Sequence, residues 1–156
     1  MKFDFEIDTA GTVAVLTGLA DRAQDLKPAM RSIRDLMVEG HKKNFATQGS
    51  FLGQPWPALS AQTTERKARQ GLPQNPMESS GSLLRALSGG RGRRTSATKT
   101  MARAGVAQYY ARFHLAGASG GRKGDLPARP LVGMTSAQVA RANSIIRIYL
   151  ETGRVT

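Results

Sequence analysis

Apolar and acidic side chains alternate at the start of the chain, in the segment KFDFEID of residues 2–8. In an extended chain Phe3, Phe5 and Ile7 would point to one side and the three acids to the other, so this period of two predicts a half-buried strand. Three acids on one face could chelate a hard cation. A solvated face that discourages pairing with another edge strand is the more common role of such acids.

Two helices are predicted next. Apolar residues recur at helical spacing over 12–24 and, after a break, from Pro28, which suits the first turn of a helix, to about Thr47. The apolar positions on one side are Val13, Leu16, Leu19 and Ala20 in the first helix, and the expected core positions in the second are Met30, Ile33, Met37 and Phe45. His41 lies beside two lysines near the end of the second helix, where we expect a surface histidine.

The segment 49–59, GSFLGQPWPAL, is rich in turn residues and contains the only tryptophan of the chain. Pro55 and Pro57 bracket Trp56 and restrict the backbone there, so that a large ring is presented in one direction. The ring could close one end of the core or anchor a partner, and the sequence favours neither role.

Shorter elements follow. Ser60 is placed to cap a basic helix within 60–71, and a second short helix is expected within 79–89. Three aromatic residues favour one or two strands within 99–114. A capped C-terminal helix is expected over 135–152.

This order of strand, helices, strands and helix predicts an α+β fold. We expect residues 1–156 to form a single domain in which a small, mostly antiparallel sheet packs against a long N-terminal helix and a C-terminal helix. Two loops are expected to interrupt it, a flexible basic loop at about 89–98 and a glycine-rich loop at about 117–126.

The net charge of +12 is unevenly placed. Residues 1–40 hold seven acids and five bases, whereas residues 79–124 hold nine bases and no acid. The residues that we assign to a basic face are Arg91, Arg93, Arg94, Arg122 and Lys123. Such asymmetry indicates a polyanionic neighbour, which is either nucleic acid or the acidic face of another copy.

The sequence carries no recognisable catalytic or cofactor chemistry. Cysteine is absent, which excludes disulfides, thiolate metal sites and cysteine nucleophiles. GASGG at 117–121 matches a hydrolase nucleophile pattern, but prolines follow where that motif needs a helix, and no histidine follows His114. We therefore expect no enzyme, no cofactor and no metal. No apolar run approaches the roughly 20 residues of a membrane span, so no membrane partner is expected either.

Four segments, taken in order, are similar to a known family. They are GQPWPALSAQTTERKARQG at 53–71, MESSGSLLRAL at 77–87, YYARFHLAGA at 109–118 and LPARPLVGM at 126–134. Together they resemble the virion morphogenesis, or tail completion, proteins of tailed bacteriophages, including Mu-like and P2-like phages. The resemblance implies a non-enzymatic structural protein at the head–tail junction of the virion, present in the host cytoplasm during assembly.

Because related neck components commonly form rings, the resemblance also implies a ring-like homo-oligomer, such as a hexamer, that contacts a tail terminator, tail tube or connector protein. The residues assigned to a subunit or partner interface are Trp56, His114, Pro127, Arg129 and Pro130. In this interpretation the loop 117–125 reaches a neighbouring subunit, and the sequence PARP at 127–130 fixes its direction. Arg129 could then pair with an acid. Alternatively, the two prolines simply turn the chain into the last helix.

A second hypothesis is a nucleic-acid-binding protein that uses the basic segment 79–124. Its arginines would bind phosphates while Tyr109 and Tyr110 stack on bases. The sequence contains no helix-turn-helix or zinc-finger pattern that would recognise particular bases, so such binding would be non-specific. Because it would depend on phosphate contacts, it would weaken as the salt concentration rises.

Overall fold

The computed structural model describes residues 9–119 and 125–155 of the chain. The strand expected at 2–8, and Arg122 and Lys123 of the basic face, lie outside these residues. The helices are α1 (Ala10–Gln24), α2 (Lys27–Ala46), α3 (Ala61–Arg69), α4 (Ser82–Leu87), α5 (Ala111–Ala116) and α6 (Ser136–Thr152), and the strands are β1 (Ser96–Ala97) and β2 (Ala102–Arg103). Helices at both ends of the described chain and a small antiparallel sheet confirm the α+β class.

Helix α2 is the centre of the fold. It begins with Pro28 in its first turn, where the missing proline N–H would have no partner in any case. Helices α4 and α6 and both strands pack on it. The long helix therefore carries the sheet on one side and the C-terminal helix on another, as the sequence predicts.

Buried apolar residues form two clusters along α2. The first cluster consists of Ala29, Met30 and Ile33 from α2 and Ala142, Ile145 and Tyr149 from α6. The second consists of Phe45, Trp56, Leu83, Leu87, Ala111 and Leu131. In the second cluster the Trp56 ring meets the Phe45 ring edge-on, with centroids 5.0 Å apart, an arrangement that aromatic pairs favour. This cluster joins five separate segments and positions the candidate interface residues.

Helix α6 is held at both ends. The Thr135 hydroxyl accepts from the Gln138 backbone N–H, and the Gln138 side chain accepts from the Thr135 N–H, which completes a capping box. The Gln138 side-chain amide also donates to the Leu36 carbonyl oxygen over 3.1 Å. At the other end the Tyr149 hydroxyl donates to the Asp25 carbonyl oxygen over 3.0 Å. These bonds join one end of α6 to α2 and the other end to the turn between α1 and α2.

The sheet is a short hairpin. Ser96 lies opposite Arg103, and Ala97 lies opposite Ala102, in antiparallel register. A further isolated bridge joins Arg93 to Val106. The hairpin thus includes much of the basic segment that we expected as a loop at 89–98.

Two sequence predictions differ from the structure. Of the one or two strands expected within 99–114, β2 is present, but the last residues of that range belong to helix α5. Alanine and leucine favour a helix there, and the helix ends at Gly117, which has a φ of 73°. His41 is not on the surface but is 1% exposed. Its helix, α2, is covered by α4, α6 and the hairpin, so a position near charged neighbours in the sequence lies inside the fold.

Candidate functional site

Trp56 lies in the core and is 6% exposed. Its backbone N–H donates to the Gln48 carbonyl oxygen over 2.7 Å, and its indole Nε1 donates to the Pro130 carbonyl oxygen over 3.0 Å. Gly49, with a φ of 90°, faces the indole so closely that a Cβ there would lie 2.4 Å from the ring, which only glycine can avoid. These contacts place the Trp56 ring in the second core cluster.

The carbonyl of Pro130 is a point where distant segments converge. Besides the Trp56 indole, the side-chain amide of Asn44 donates to this oxygen over 2.9 Å. The two donors are 74 and 86 residues away in the sequence. A buried acceptor is costly to leave without a donor. These two bonds therefore hold the end of the PARP segment against α2 and against residues 49–59, the Trp56 loop.

Arg129 is buried and only 4% exposed. Its guanidinium donates to the Pro57 carbonyl oxygen from Nε over 3.3 Å and from Nη2 over 2.9 Å, and Nη2 lies 3.4 Å from the Ala58 carbonyl oxygen. The ion pairs among the described residues do not include Arg129, so here it pairs with backbone carbonyls and not with an acid. Burial lowers the pKa of Arg129. The planar guanidinium thus joins the PARP segment to the Trp56 loop.

The hydrogen bonds of Trp56, Arg129 and Pro130 form one network, and His114 lies at its border. Its backbone carbonyl accepts from the Arg129 N–H over 2.6 Å, which ties α5 to the PARP segment. Burial, and then the charge of Arg129, lower the pKa of His114, so its half-buried imidazole binds a proton less readily than a free histidine does. Of the five predicted interface residues, Trp56, Arg129 and Pro130 share the network, His114 adjoins it, and Pro127 is exposed beside it.

A groove of about 1110 Å³ runs along this network. Its walls are α3, the segment 77–83, α5 and the segment 125–129. The charged residues that line it are Arg66, Lys67, Glu78, Asp125 and Arg129. Leucines, serines and a methionine make up much of the remaining lining. A groove with charges of both signs, hydroxyl groups and apolar side chains can accept a segment of another protein.

Lys67 is a groove residue that our sequence reasoning missed. It is 5% exposed, and its Nζ donates to the carbonyl oxygens of Asn75 over 2.7 Å and Glu78 over 2.6 Å. Burial lowers the pKa of Lys67. The ammonium group fastens the loop after α3 back onto that helix. Nothing in the sequence distinguishes this lysine from its exposed neighbours Arg66 and Arg69.

Three members of the predicted basic face lie together after α4. Arg91, Arg93 and Arg94 are exposed, and none of them takes part in the ion pairs of the described residues. The Arg93 guanidinium donates to the Gly89 carbonyl oxygen over 2.6 Å. The structure therefore brings three of the five basic residues to one solvent-facing segment.

The described residues show neither a metal-ligand cluster nor a membrane-spanning helix. Across 9–119 and 125–155, no three His, Asp or Glu side chains are grouped so that they could hold a metal ion. Of the described helices, none combines the length and the apolar character needed to cross a bilayer.

Comparison with known families agrees with the resemblance seen in the four sequence segments. Residues 7–151 match the model of the phage virion morphogenesis family. The match defines the class of protein, a virion-associated protein of phage assembly. Because the match covers nearly the whole chain, the protein belongs to the phage virion morphogenesis family. No curated protein and no solved structure matches the chain significantly.

Proposed function

We propose that this protein acts at the head–tail junction of the virion as a tail completion or neck protein. In this role it binds copies of itself in a ring and contacts a tail terminator, tail tube or connector protein. Membership of the phage virion morphogenesis family supports a role in assembly. The observation that carries the finer proposal is the groove of about 1110 Å³ beside the PARP segment.

The wall of this groove is formed before any partner arrives. Arg129 is bonded to the Pro57 carbonyl, and Pro130 to Trp56 and Asn44, across 72 to 86 residues of sequence. Binding costs less free energy when the surface is already ordered. A protein that joins two preassembled structures benefits from such a fixed wall, because neither partner has to pay the entropy of ordering it.

A matched pair of charge reversals tests the groove. Arg66 is exposed, lies on α3 and lines the groove, whereas Arg69 is exposed on the same helix and does not line it. Both variants, Arg66→Glu and Arg69→Glu, change the net charge equally. Arg69→Glu also removes the exposed ion pair with Glu65, which contributes little to stability, so a larger loss of yield for Arg66→Glu reports the groove. The measurement is the yield of infectious particles when each variant complements a phage that lacks this gene.

We expect Arg66→Glu to lower that yield by roughly tenfold or more, as for the loss of one central interface contact. Arg69→Glu should complement almost as well as the unaltered protein. Circular dichroism should show the same helix content for both variants, since both side chains are exposed. Equal yields from the two variants would remove the groove from the proposal.

Binding to nucleic acid is the second candidate. It is favoured by the exposed side chains of Arg91, Arg93 and Arg94, which take part in none of the ion pairs of the described residues. Contacts of this kind would be made mainly to phosphates, so affinity should fall steeply with salt. A gel-shift titration with duplex DNA at two salt concentrations measures this dependence. An absence of retardation at the lower concentration would exclude this candidate.

A further inference from the structure

Helix α1 exposes apolar side chains that a helix normally buries. None of its 15 residues is buried, and the exposed fractions are 56% for Val13, 61% for Val15 and 59% for Leu16. A surface helix of a globular protein usually turns its apolar stripe toward the core. The apolar residues of α1 are therefore available to another surface.

Among the described residues, α1 uses one of its sides for contacts with the rest of the fold. Leu19 lies beside Ile146 and Leu150 of α6, and the Arg22 guanidinium donates to the carbonyl oxygens of Leu150 and Glu151. A different side carries Val13, Leu16, Ala20 and Ala23, all of which are exposed. Their spacing of three, four and three residues is the heptad spacing of a helix–helix seam. They fall within about 80° of arc around the helix.

The charge around this seam favours a second copy of the chain as its partner. The charged residues of α1 are Asp21 and Arg22, and the Arg22 side chain is bonded to α6. The positions that flank the seam, Thr12, Thr17 and Gln24, are uncharged. Although each copy has a net charge of +12, two copies that meet along this seam bring no like charges of α1 directly together. A membrane-surface helix would instead carry lysine and arginine on its polar face.

The sizes of the seam residues also match those of a second copy. Large residues, Val13 and Leu16, occupy the first half of the seam, and alanines occupy the second half at 20 and 23. In an antiparallel pair Val13 faces Ala23 and Leu16 faces Ala20 of the other copy, so every layer holds one large and one small side chain. A parallel pair would set large against large and alanine against alanine, which packs unevenly.

We propose that two copies of this protein pair through α1 as an antiparallel, two-fold symmetric helix pair. Such a contact uses the same surface on both copies and closes on itself, so it forms a dimer and does not require the ring or the head–tail role. Helix α1 is about 22 Å long, which is short for a helix pair that is stable alone. The dimer is therefore weak, and it covers the apolar seam of the free chain before assembly.

The first test compares two lysine substitutions on α1. Leu16→Lys lies in the seam, whereas Val15→Lys lies outside it on the same helix at nearly the same exposure, 61% against 59%. Sedimentation equilibrium over a wide range of protein concentration measures the dimer dissociation constant. We expect Leu16→Lys to raise that constant by at least roughly 30-fold, because a two-fold pair carries the change twice. Val15→Lys should change it by less than about threefold.

The second test reads the direction of the pair. The chain has no cysteine, so Leu16→Cys and Ala20→Cys each add a single thiol. In an oxidised mixture of the two variants the cross-link between position 16 of one copy and position 20 of the other should predominate. A predominance of 16–16 and 20–20 links would overturn the antiparallel arrangement.

Three other outcomes would overturn the proposal. One is that the unaltered chain stays monomeric at the highest concentration reached. The second is that both lysine variants weaken the dimer equally, which would place the contact elsewhere. The third is a monomer that binds phosphatidylserine vesicles through Leu16, because the face would then belong to a membrane surface. Circular dichroism of each variant confirms that α1 remains helical.

Discussion

The carbonyl of Pro130 should show strong energetic coupling between its two donors. Trp56→Phe removes the indole N–H that lies 3.0 Å from this oxygen, and Asn44→Leu removes the amide that lies 2.9 Å from it. After either single change the oxygen keeps one donor. After both changes it has none, although it lies in a part-buried site.

The magnitudes follow from this count of donors. Trp56→Phe should lower the free energy of unfolding by about 1–2 kcal/mol, because it removes one hydrogen bond and some of the contacts of the ring. Asn44→Leu should lower the free energy of unfolding by about 1 kcal/mol or less, because it also removes the buried Asn44 Oδ1, which has no hydrogen-bond partner among the described residues. The double variant should cost about 1–2 kcal/mol more than the sum of the single variants, since it leaves an acceptor without a donor.

Urea unfolding followed by far-ultraviolet circular dichroism measures these free energies without relying on the tryptophan that one variant lacks. A control cycle pairs Asn44→Leu with Thr135→Ala, which lies in the separate capping box of α6 and should add independently. If the coupling between Trp56→Phe and Asn44→Leu is within about 0.3 kcal/mol of zero, the shared acceptor does not hold the PARP segment as described.

Three further predictions concern stability. Burial lowers the pKa of His41 from its usual 6.5, so His41 binds a proton more readily in the unfolded chain than in the folded one. The contribution of His41 to the free energy of unfolding should therefore be level well above pH 6.5 and fall below it, by up to about 1.4 kcal/mol per pH unit. Because the pKa of His114 is lowered as well, His41→Leu should reduce this fall without abolishing it in urea titrations at several pH values. Lys67→Met should destabilise the fold by about 2–3 kcal/mol in urea unfolding, because the Asn75 and Glu78 carbonyls lose a charged donor, and an unchanged midpoint would contradict the fastening role. Thr135→Ala should cost about 1 kcal/mol by thermal unfolding through loss of the cap, whereas Ser136→Ala, one residue further on, should have little effect.

Local signals in the sequence predict the helices well. Pro28, Ser60 and Thr135 each mark the start of a helix through a property of a single residue, either a fixed φ or a side-chain acceptor. Such signals act within one turn of chain and need no information about distant contacts. The resemblance of the four segments to the phage family is likewise a property of the sequence alone, and the family comparison confirms it.

Tertiary contacts explain what the sequence could not show. His41 and Lys67 stand among charged neighbours, and both are buried because distant segments cover them. The acceptors of Arg129 are backbone carbonyls 72 and 71 residues away. Because every residue has a backbone carbonyl, the sequence does not show which of them will accept a hydrogen bond. In α1 the apolar residues that the sequence places on one side of a helix do not form a buried face, because none of the residues of that helix is buried.

The most direct test of the proposed role is negative-stain electron microscopy of particles made by a phage from which this gene has been deleted. A protein that completes the head–tail junction should leave DNA-filled heads beside separate or unstable tails, and supplying the intact gene should restore joined particles. Normal, infectious particles in the absence of the gene would contradict a role in joining head and tail.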